Sequence, residues 1–382
     1  MEEWKKYKLG DILTIKYGKD HKQLADGNIP IYGSGGIMRY GERSLYEGSS
    51  ILIPRKGSLN NIMYSDKPFW TVDTMFWTII NEEVANPLFV YYSICKKDFA
   101  NLNVGSAVPS LTVPVIEDVD ILLPSKSTQD KIVSILKSLD DKIEVNRRIN
   151  DNLEQQAQAL FNSWFVDFEP FKDQPFVESE TGMIPQKWKV DRLSSIANYI
   201  NGLAMQKYRP VENEVGLPVL KIKELGQGGC DDNSELCSPS LIGEKYVIND
   251  GNIVFSWSGT LMVKIWCGGK CGLNQHLFVV KPYDMPKWFV YQWTKYHLDN
   301  FIQIAKDKAV TMGHIKRGEL DKALVLVPDN DELSKMDSVM QPIHRQIISN
   351  EIASRHLASL RDTLLPRLMS SNLIQNKEIL GF

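Results

Sequence analysis

Between Ser127 and Phe165 apolar residues return at alternating spacings of four and three: Ile132, Leu136, Leu139 and Ile143, then Leu153, Ala157, Leu160 and Trp164, with Ile149 one place off the seam. Charged residues flank this stripe, so the spacing predicts a long amphipathic helix of the heptad kind. Ser127-Thr128-Gln129-Asp130 supplies a start signal and Asp167-Phe168-Glu169-Pro170 a stop. Roughly 38 residues at about 1.5 Å each make a rod on the order of 55 Å long, which needs an equally long partner to bury its stripe.

The same spacing returns between Asp331 and Met369, at Met336, Met340, Ile343, Ile347, Leu357, Leu364 and Leu368. An offset of 204 places Ile132 on Met336, Leu139 on Ile343, Ile143 on Ile347, Leu153 on Leu357 and Leu160 on Leu364. The chain is an internal duplication. One seam position is polar in both copies, Asn146 and Asn350, and a seam asparagine fixes helix register at some cost in stability. If the helices pair antiparallel about a pseudo-twofold axis, these two asparagines are expected to face each other.

The regions before each rod repeat as well. Short β-rich segments punctuated by glycine, such as Ile29-Pro30-Ile31 and Ser50-Ile51-Leu52-Ile53-Pro54, precede a helical patch at Pro87–Ile94. Ile29-Pro30-Ile31 returns as Leu217-Pro218-Val219, Val72-Asp73-Thr74-Met75-Phe76 as Leu273-Asn274-Gln275-His276-Leu277, and Phe89-Val90-Tyr91 as Phe289-Val290-Tyr291. Offsets here fall below 204 and vary, so the globular copies have diverged in their loops while the rods have not. The expected division is a first globular domain at 1–127, a central spacer helix at 128–168, a linker rich in Pro and acids at 169–185, a second globular domain at 186–329, a C-terminal spacer helix at 330–370 and a tail at 371–382.

Composition changes this picture little. The chain of 382 residues is 43 % apolar and 24 % charged, with a net charge of −3, ordinary for a multidomain protein. No apolar run approaches a membrane span and the N-terminus lacks a signal-like apolar region, so a cytoplasmic location is expected. Five cysteines are an odd number and sparse, in keeping with a reducing compartment. Cys230, Cys237, Cys267 and Cys271 lack the tight C-x-x-C spacing of strong zinc motifs and have no counterparts in the first copy, so they read as loop and core thiols and no metal is expected.

Catalytic signatures are missing. No G-x-x-x-x-G-K-[ST] loop is present. Gly33-Ser34-Gly35-Gly36 and Gly226-Gln227-Gly228-Gly229 read as turns rather than dinucleotide fingerprints. Asn86-Pro87-Leu88 begins like an amino-methyltransferase motif but lacks the second proline and the aromatic. Ser256-Trp257-Ser258-Gly259 is not a nucleophile elbow. Six histidines are scattered without ligand spacing.

The order of domain, long helix, domain, long helix resembles the specificity subunits of type I restriction–modification enzymes. Phrases that carry the resemblance are Pro30-Ile31-Tyr32-Gly33-Ser34-Gly35-Gly36-Ile37, Ile53-Pro54-Arg55-Lys56-Gly57-Ser58, the run from Gln158 to Phe168, Ser256-Trp257-Ser258-Gly259-Thr260, the run from Gly272 to Phe278, and Thr363-Leu364-Leu365-Pro366-Arg367-Leu368. The resemblance spans nearly the whole chain. It implies an α+β fold in which two similar α/β target recognition domains are separated by two long helices forming an antiparallel coiled coil. Each domain would read one half of a bipartite, asymmetric double-stranded DNA target. Two modification subunits carrying S-adenosylmethionine would bind this chain and methylate adenine, and restriction and motor subunits would join them. This chain itself would hold no cofactor and perform no catalysis.

Residues suited to bases and phosphates are donors and acceptors on loops. In the first domain these are Tyr32, Ser34, Arg39, Arg55, Lys56 and Ser58; in the second, Lys221, Lys223, Ser256, Trp257, Ser258, Thr260, Gln275, Thr311 and His314. The first 60 residues are only mildly basic, so much of the positive charge around DNA would come from partner subunits. Two further readings stay open on residues alone: a DNA-cutting or DNA-methylating enzyme in one chain, and a coiled-coil adaptor with two protein-binding domains.

Overall fold

The computed structural model describes residues 4–105, 107–307 and 313–370; Thr311 and the tail 371–382 therefore lie outside the described residues. The α+β chain forms two compact units, residues 1–141 with 358–382, and residues 142–357.

In the first unit β1 (Lys5–Lys8), the single turn α1 (Leu9–Ile12) and β2 (Leu13–Tyr17) lead into β3 (Asp26–Gly33) and β4 (Gly36–Gly41), joined by the turn Ser34-Gly35. Next come β5 (Ser50–Pro54), β6 (Met63–Ser65), β7 (Trp70–Thr71), β8 (Met75–Ile80), α2 (Pro87–Ile94), α3 (Val113–Glu117), β9 (Asp120–Leu123) and the long α4 (Lys126–Phe165). One antiparallel sheet has the order β2-β8-β5-β6; a second, β4-β3-β7, contains a parallel β3–β7 pair, and β1 pairs with β9. β5 is buried along its whole length, as its unbroken apolar run requires of a strand covered on both faces. Asn86, at the start of the rejected methyltransferase-like motif, caps α2: its side chain accepts from the N–H groups of Leu88 and Phe89, and Pro87 sits where no N–H is needed.

The second unit opens with a hairpin of β10 (Phe176–Ser179) and β11 (Gly182–Pro185). It continues through β12 (Lys189–Arg192), α5 (Leu193–Ile196), β13 (Ala197–Asn201), β14 (Leu217–Leu220), α6 (Ile222–Gln227), β15 (Leu236–Cys237), β16 (Val247–Ile248) and β17 (Ile253–Ser256). After these come β18 (Met262–Ile265), β19 (Cys271–Leu273), β20 (Leu277–Pro282), α7 (Lys287–Tyr296), α8 (Leu298–Asp307), β21 (Leu324–Val327) and the long α9 (Asn330–Leu368). The sheet orders are β13-β20-β17-β18 and β15-β14-β19-β16, β14 and β19 are parallel, and β12 pairs with β21. The antiparallel sheet, the parallel pair and the terminal strand pair of the first unit thus each have a twin. The copies differ after the strand that enters the parallel pair: β3 turns tightly into β4, whereas β14 runs into α6.

Residues 169–185, expected to be a linker, are folded. Gly182 takes a positive φ of 99° in the hairpin turn, and Phe171 and Ile184 are buried in the core of the unit. The apolar side chains among the prolines and acids were the overlooked signal.

Within each unit α4 and α9 run antiparallel. In the first, Ile132 and Leu136 from early in α4 share a core with Leu365 and Leu368 from late in α9. In the second, Ala157 and Phe161 share a core with Met336 and Met340. Continuing the four–three count through the middle of each helix gives 143, 146, 150, 153 and 347, 350, 354, 357. The seam therefore carries Asn150 and Ser354 as well as Asn146 and Asn350. Asn146 Nδ2 is 3.5 Å from the Asn350 carbonyl, but its shorter bond, 3.1 Å, goes to Ser354 Oγ. Asn350 Nδ2 donates to Asn150 Oδ1 at 2.8 Å, and Asn150 Nδ2 donates to Glu351 at 2.9 Å and to the Ile347 carbonyl at 3.2 Å. The pair Asn146–Ser354 is the duplicate of Asn350–Asn150.

The second domain is tied to α9 by Arg355, whose guanidinium meets both carboxylate oxygens of Asp250 at 2.8 and 2.9 Å and also donates to the Cys267 carbonyl. Arg355 holds the Asp250 carboxyl below its ordinary value of 3.8. A depressed carboxylate stabilises the fold above its unfolded pKa, and that contribution is lost as pH falls through the folded value.

Asp250→Asn is therefore expected to lower stability by roughly 1–3 kcal/mol at pH 7. The gap from the parent chain should close as pH drops below about 4, as urea titrations across pH would reveal. For the seam, Asn350→Ala should cost about 1–3 kcal/mol by leaving Asn150 short of a donor. Leucine at all four polar positions should recover that stability while broadening the distribution of assembly states in light scattering; a single sharp species would speak against a register role.

Candidate nucleic-acid interface

The same backbone frame forms one edge of each domain. In the first, the N–H of Gly18, just after β2, donates to the Met75 carbonyl, and that of Lys19 donates to the Thr71 carbonyl, both at 2.9 Å. In the second, Gly202 donates to Leu277 at 3.0 Å and Leu203 to Leu273 at 2.9 Å. A Cβ at Gly18 would lie 2.0 Å from the Val72 carbonyl oxygen, and one at Gly202 2.2 Å from that of Asn274. Only glycine permits this approach. The loop after the central strand closes the frame: the Arg55 N–H donates to the Thr74 carbonyl at 2.8 Å, and the Trp257 N–H reaches the His276 carbonyl at 3.4 Å.

The side chains on the two frames differ. In the first domain the Arg55 guanidinium lies over the Tyr17 ring, 5.6 Å from its centroid. Tyr17 is 55 % exposed, and Lys56 and Ser58 beside it are exposed. Ser34, at the β3–β4 turn, approaches this loop at Gly57, and its carbonyl accepts from Asn61 at 2.8 Å. Tyr32 is half-buried against Phe69, and burial raises its hydroxyl pKa. Arg39 does something else: its guanidinium donates to the carbonyls of His21 at 2.6 Å and Leu24 at 2.9 Å and pairs with Asp26 at 3.2 Å. It clips the 21–26 loop onto β4.

In the second domain Trp257 is half-buried and its indole N–H donates to Asn201 Oδ1 at 2.9 Å, the counterpart of Arg55 over Tyr17. Ser258 Oγ lies 3.0 Å from His276 Nδ1, and Gln275 Nε2 lies 3.3 Å from His276 Nε2. His314 forms a bridge with Ser258 and an edge contact with Trp257, and Thr260 is exposed next to them. Lys221 and Lys223 meet Gln275 and His276 in a shallow depression of about 410 Å³. Both lysines have acidic neighbours there, Glu235 at 2.5 Å and Asp231 at 3.7 Å. Ser256 is fully buried, its hydroxyl donating to the Ser258 carbonyl at 3.2 Å, so it cannot enter a groove.

The structure thus brings together Ser34, Arg55, Lys56 and Ser58 in one domain, and Lys221, Lys223, Trp257, Ser258, Thr260, Gln275 and His314 in the other. It assigns Arg39 and Ser256 to the scaffold. Tyr17 and Asn201 sit with these groups without having been predicted; the signal was the repeated position just before Gly18 and Gly202. His276, which its loop-like context marks as a candidate donor to a base or phosphate, sits with them too. The β3–β4 hairpin also exposes Ile37, Met38 and Tyr40, each about half. Among the described residues, no cluster of His, Cys, Asp or Glu could hold a metal ion, and the thiols of Cys237 and Cys271 are buried.

The family model for the type I restriction modification DNA specificity domain matches residues 1–155 and 185–354, one match for each copy. The type I restriction enzyme MjaIX specificity subunit of Methanocaldococcus jannaschii is 26 % identical, over 97 % of this chain and 94 % of its own length. The HindI specificity subunit of Haemophilus influenzae is 22 % identical, over 98 % of this chain and 100 % of its own. The crystal structure of the type I restriction–modification S subunit from M. genitalium shares the fold, with a TM-score of 0.59 at 15 % identity and 97 % of each chain covered. With both halves matched and the duplicated frame present in each, the chain belongs to the type I restriction–modification DNA specificity family.

Proposed function

We propose that this chain is the DNA-reading, non-catalytic subunit of a type I restriction–modification enzyme, and that each globular domain reads one half of a bipartite, asymmetric double-stranded target. The observation that carries the reading is one loop frame, built twice, bearing unlike side chains. A shared frame presents both tips in the same manner, and unlike donors and acceptors select unlike bases. Arg55, placed over the Tyr17 ring, is the base-reading candidate of the first domain, with Lys56, Ser34 and Ser58 on phosphates. Gln275, His276 and His314 take that part in the second, with Lys221, Lys223 and Thr260 on the backbone.

The paired helices set the gap between half-sites. They also present two similar surfaces, so two identical modification subunits dock on one asymmetric chain. Those subunits carry S-adenosylmethionine and methylate adenine, and restriction subunits complete the enzyme. Free thiols throughout the described chain, and the lack among its described residues of any helix long and apolar enough to cross a membrane, support assembly in the cytoplasm.

Mapping methylated adenines made by the reconstituted complex tests the reading, since a two-part motif is expected and a continuous one would refute it. In that complex Arg55→Ala should relax one base position at a cost of about 1–3 kcal/mol, while Lys56→Ala should weaken all sequences alike and reduce the salt slope by about one. Arg39→Ala should instead destabilise the first domain without changing which bases are chosen. Seven residues inserted at matching places in α4 and α9 should lengthen the tolerated gap by about three base pairs; an unchanged gap would disprove the spacing role.

A further inference from the structure

The first domain sets one apolar side chain beside its frame and leaves it open to solvent. β3 and β4 pair Ile31 with Arg39 but Tyr32 with Ile37, so Met38 is an extra residue, a bulge in β4. A bulge re-aims a side chain, and this one turns Met38 across Gly33. A Cβ at Gly33 would lie 2.5 Å from Met38 Sδ and 3.8 Å from Val72 Cγ2. Glycine therefore leaves the space in which the thioether rests, next to the residue whose carbonyl closes on Gly18. Met38 is nevertheless 59 % exposed.

The second domain has the same place and fills it differently. The Val72 N–H donates to the Tyr32 carbonyl at 3.0 Å, and the Asn274 N–H to that of Leu220 at 3.1 Å. Val72 and Asn274 are thus equivalent, as are Gly33 and Lys221, which follow Tyr32 and Leu220. Where the first copy has Gly33, Val72 and the Met38 thioether, the second has Lys221 and Asn274 lining its depression with Gln275. An apolar group in one copy and polar groups in the other, at one place on a duplicated frame, is a difference in what is read. Phosphates call for charged or hydroxyl side chains, not a thioether. The apolar feature of the major groove is the C5-methyl of thymine, and that groove admits a two-stranded ribbon such as β3–β4. The hairpin tip is continuous with the candidate interface, because Asn61 holds the Ser34 carbonyl against the loop that carries Arg55, Lys56 and Ser58.

We propose that Met38 is a specificity-determining residue, which selects a thymine through its methyl group beside the base taken by Arg55. The inference rests on the reading of this chain as the DNA-reading subunit. Methionine suits the role because an unbranched, polarizable side chain adjusts to a methyl group without a rigid pocket.

Replacing thymine by deoxyuridine removes one methyl group and no hydrogen bond. Duplexes with each thymine of both half-sites replaced singly, on either strand, are titrated with the reconstituted complex by fluorescence anisotropy at fixed salt. One replacement should weaken binding about fourfold, the worth of one methyl group withdrawn from water. Met38→Ala and Met38→Gln should bind thymine and deoxyuridine alike at that position, whereas Met38→Leu should keep the difference. The proposal is overturned if no replacement matters to the parent complex, or if the difference persists in Met38→Ala or Met38→Gln. A folded Met38→Gln chain that no longer joins the modification subunits would assign this face to a protein and overturn it too. The methylation map is scored separately: a two-part motif without a deoxyuridine effect sinks this inference alone, and a continuous motif sinks the reading beneath it.

Discussion

Four polar side chains in the middle of a mostly apolar seam constrain everything else in this molecule. A stripe of leucines, isoleucines and methionines attracts without direction, and each buried one contributes about 1.5–3 kcal/mol wherever it lands. Such a stripe tolerates a slide by one heptad. The bonds from Asn146 to Ser354 and from Asn350 to Asn150 do not, because any slide leaves buried amides opposite methyl groups. Register, once fixed there, decides which residues meet the domains: Asp140 must find Arg361 and Tyr92, and Arg355 must find Asp250.

Much of the architecture was legible because the rods are long and their period is simple. A four–three repeat over forty residues leaves little room for another reading, and its recurrence 204 residues later reveals the duplication without any structural knowledge. The polar seam was half legible. Asn146 and Asn350 stand out because they coincide between copies, whereas Asn150 coincides with a serine, and only an unbroken count along the stripe recovers it. The hairpin at residues 176–185 was obscured by prolines and acids that resemble a linker.

The candidate interface was less legible, for a physical reason. An arginine that reads a base and one that holds a loop are the same letter; what separates them is where the carbonyl groups lie. Arg39 is spent on the carbonyls of His21 and Leu24, residues that sequence cannot place beside it. Ser256 and Ser258 are two apart at one strand end and both are buried, so only their partners tell them apart: the Ser256 hydroxyl turns back to the Ser258 carbonyl, whereas Ser258 Oγ lies against His276. The glycines at 18 and 202 would have located the frame more reliably than any charged residue, since close backbone approach leaves a mark that charge does not.

The core of the first domain includes Leu365 and Leu368, which come from the far end of the chain. During synthesis the first domain is complete in sequence more than two hundred residues before these side chains exist, and domains ordinarily fold in the order in which they leave the ribosome. Here the first-made half must wait, incompletely packed, for the last-made helix. A transcript cut short in its final few dozen codons would therefore damage the beginning of the protein as much as its end, and would yield a chain for proteases to clear rather than a reader with one working half.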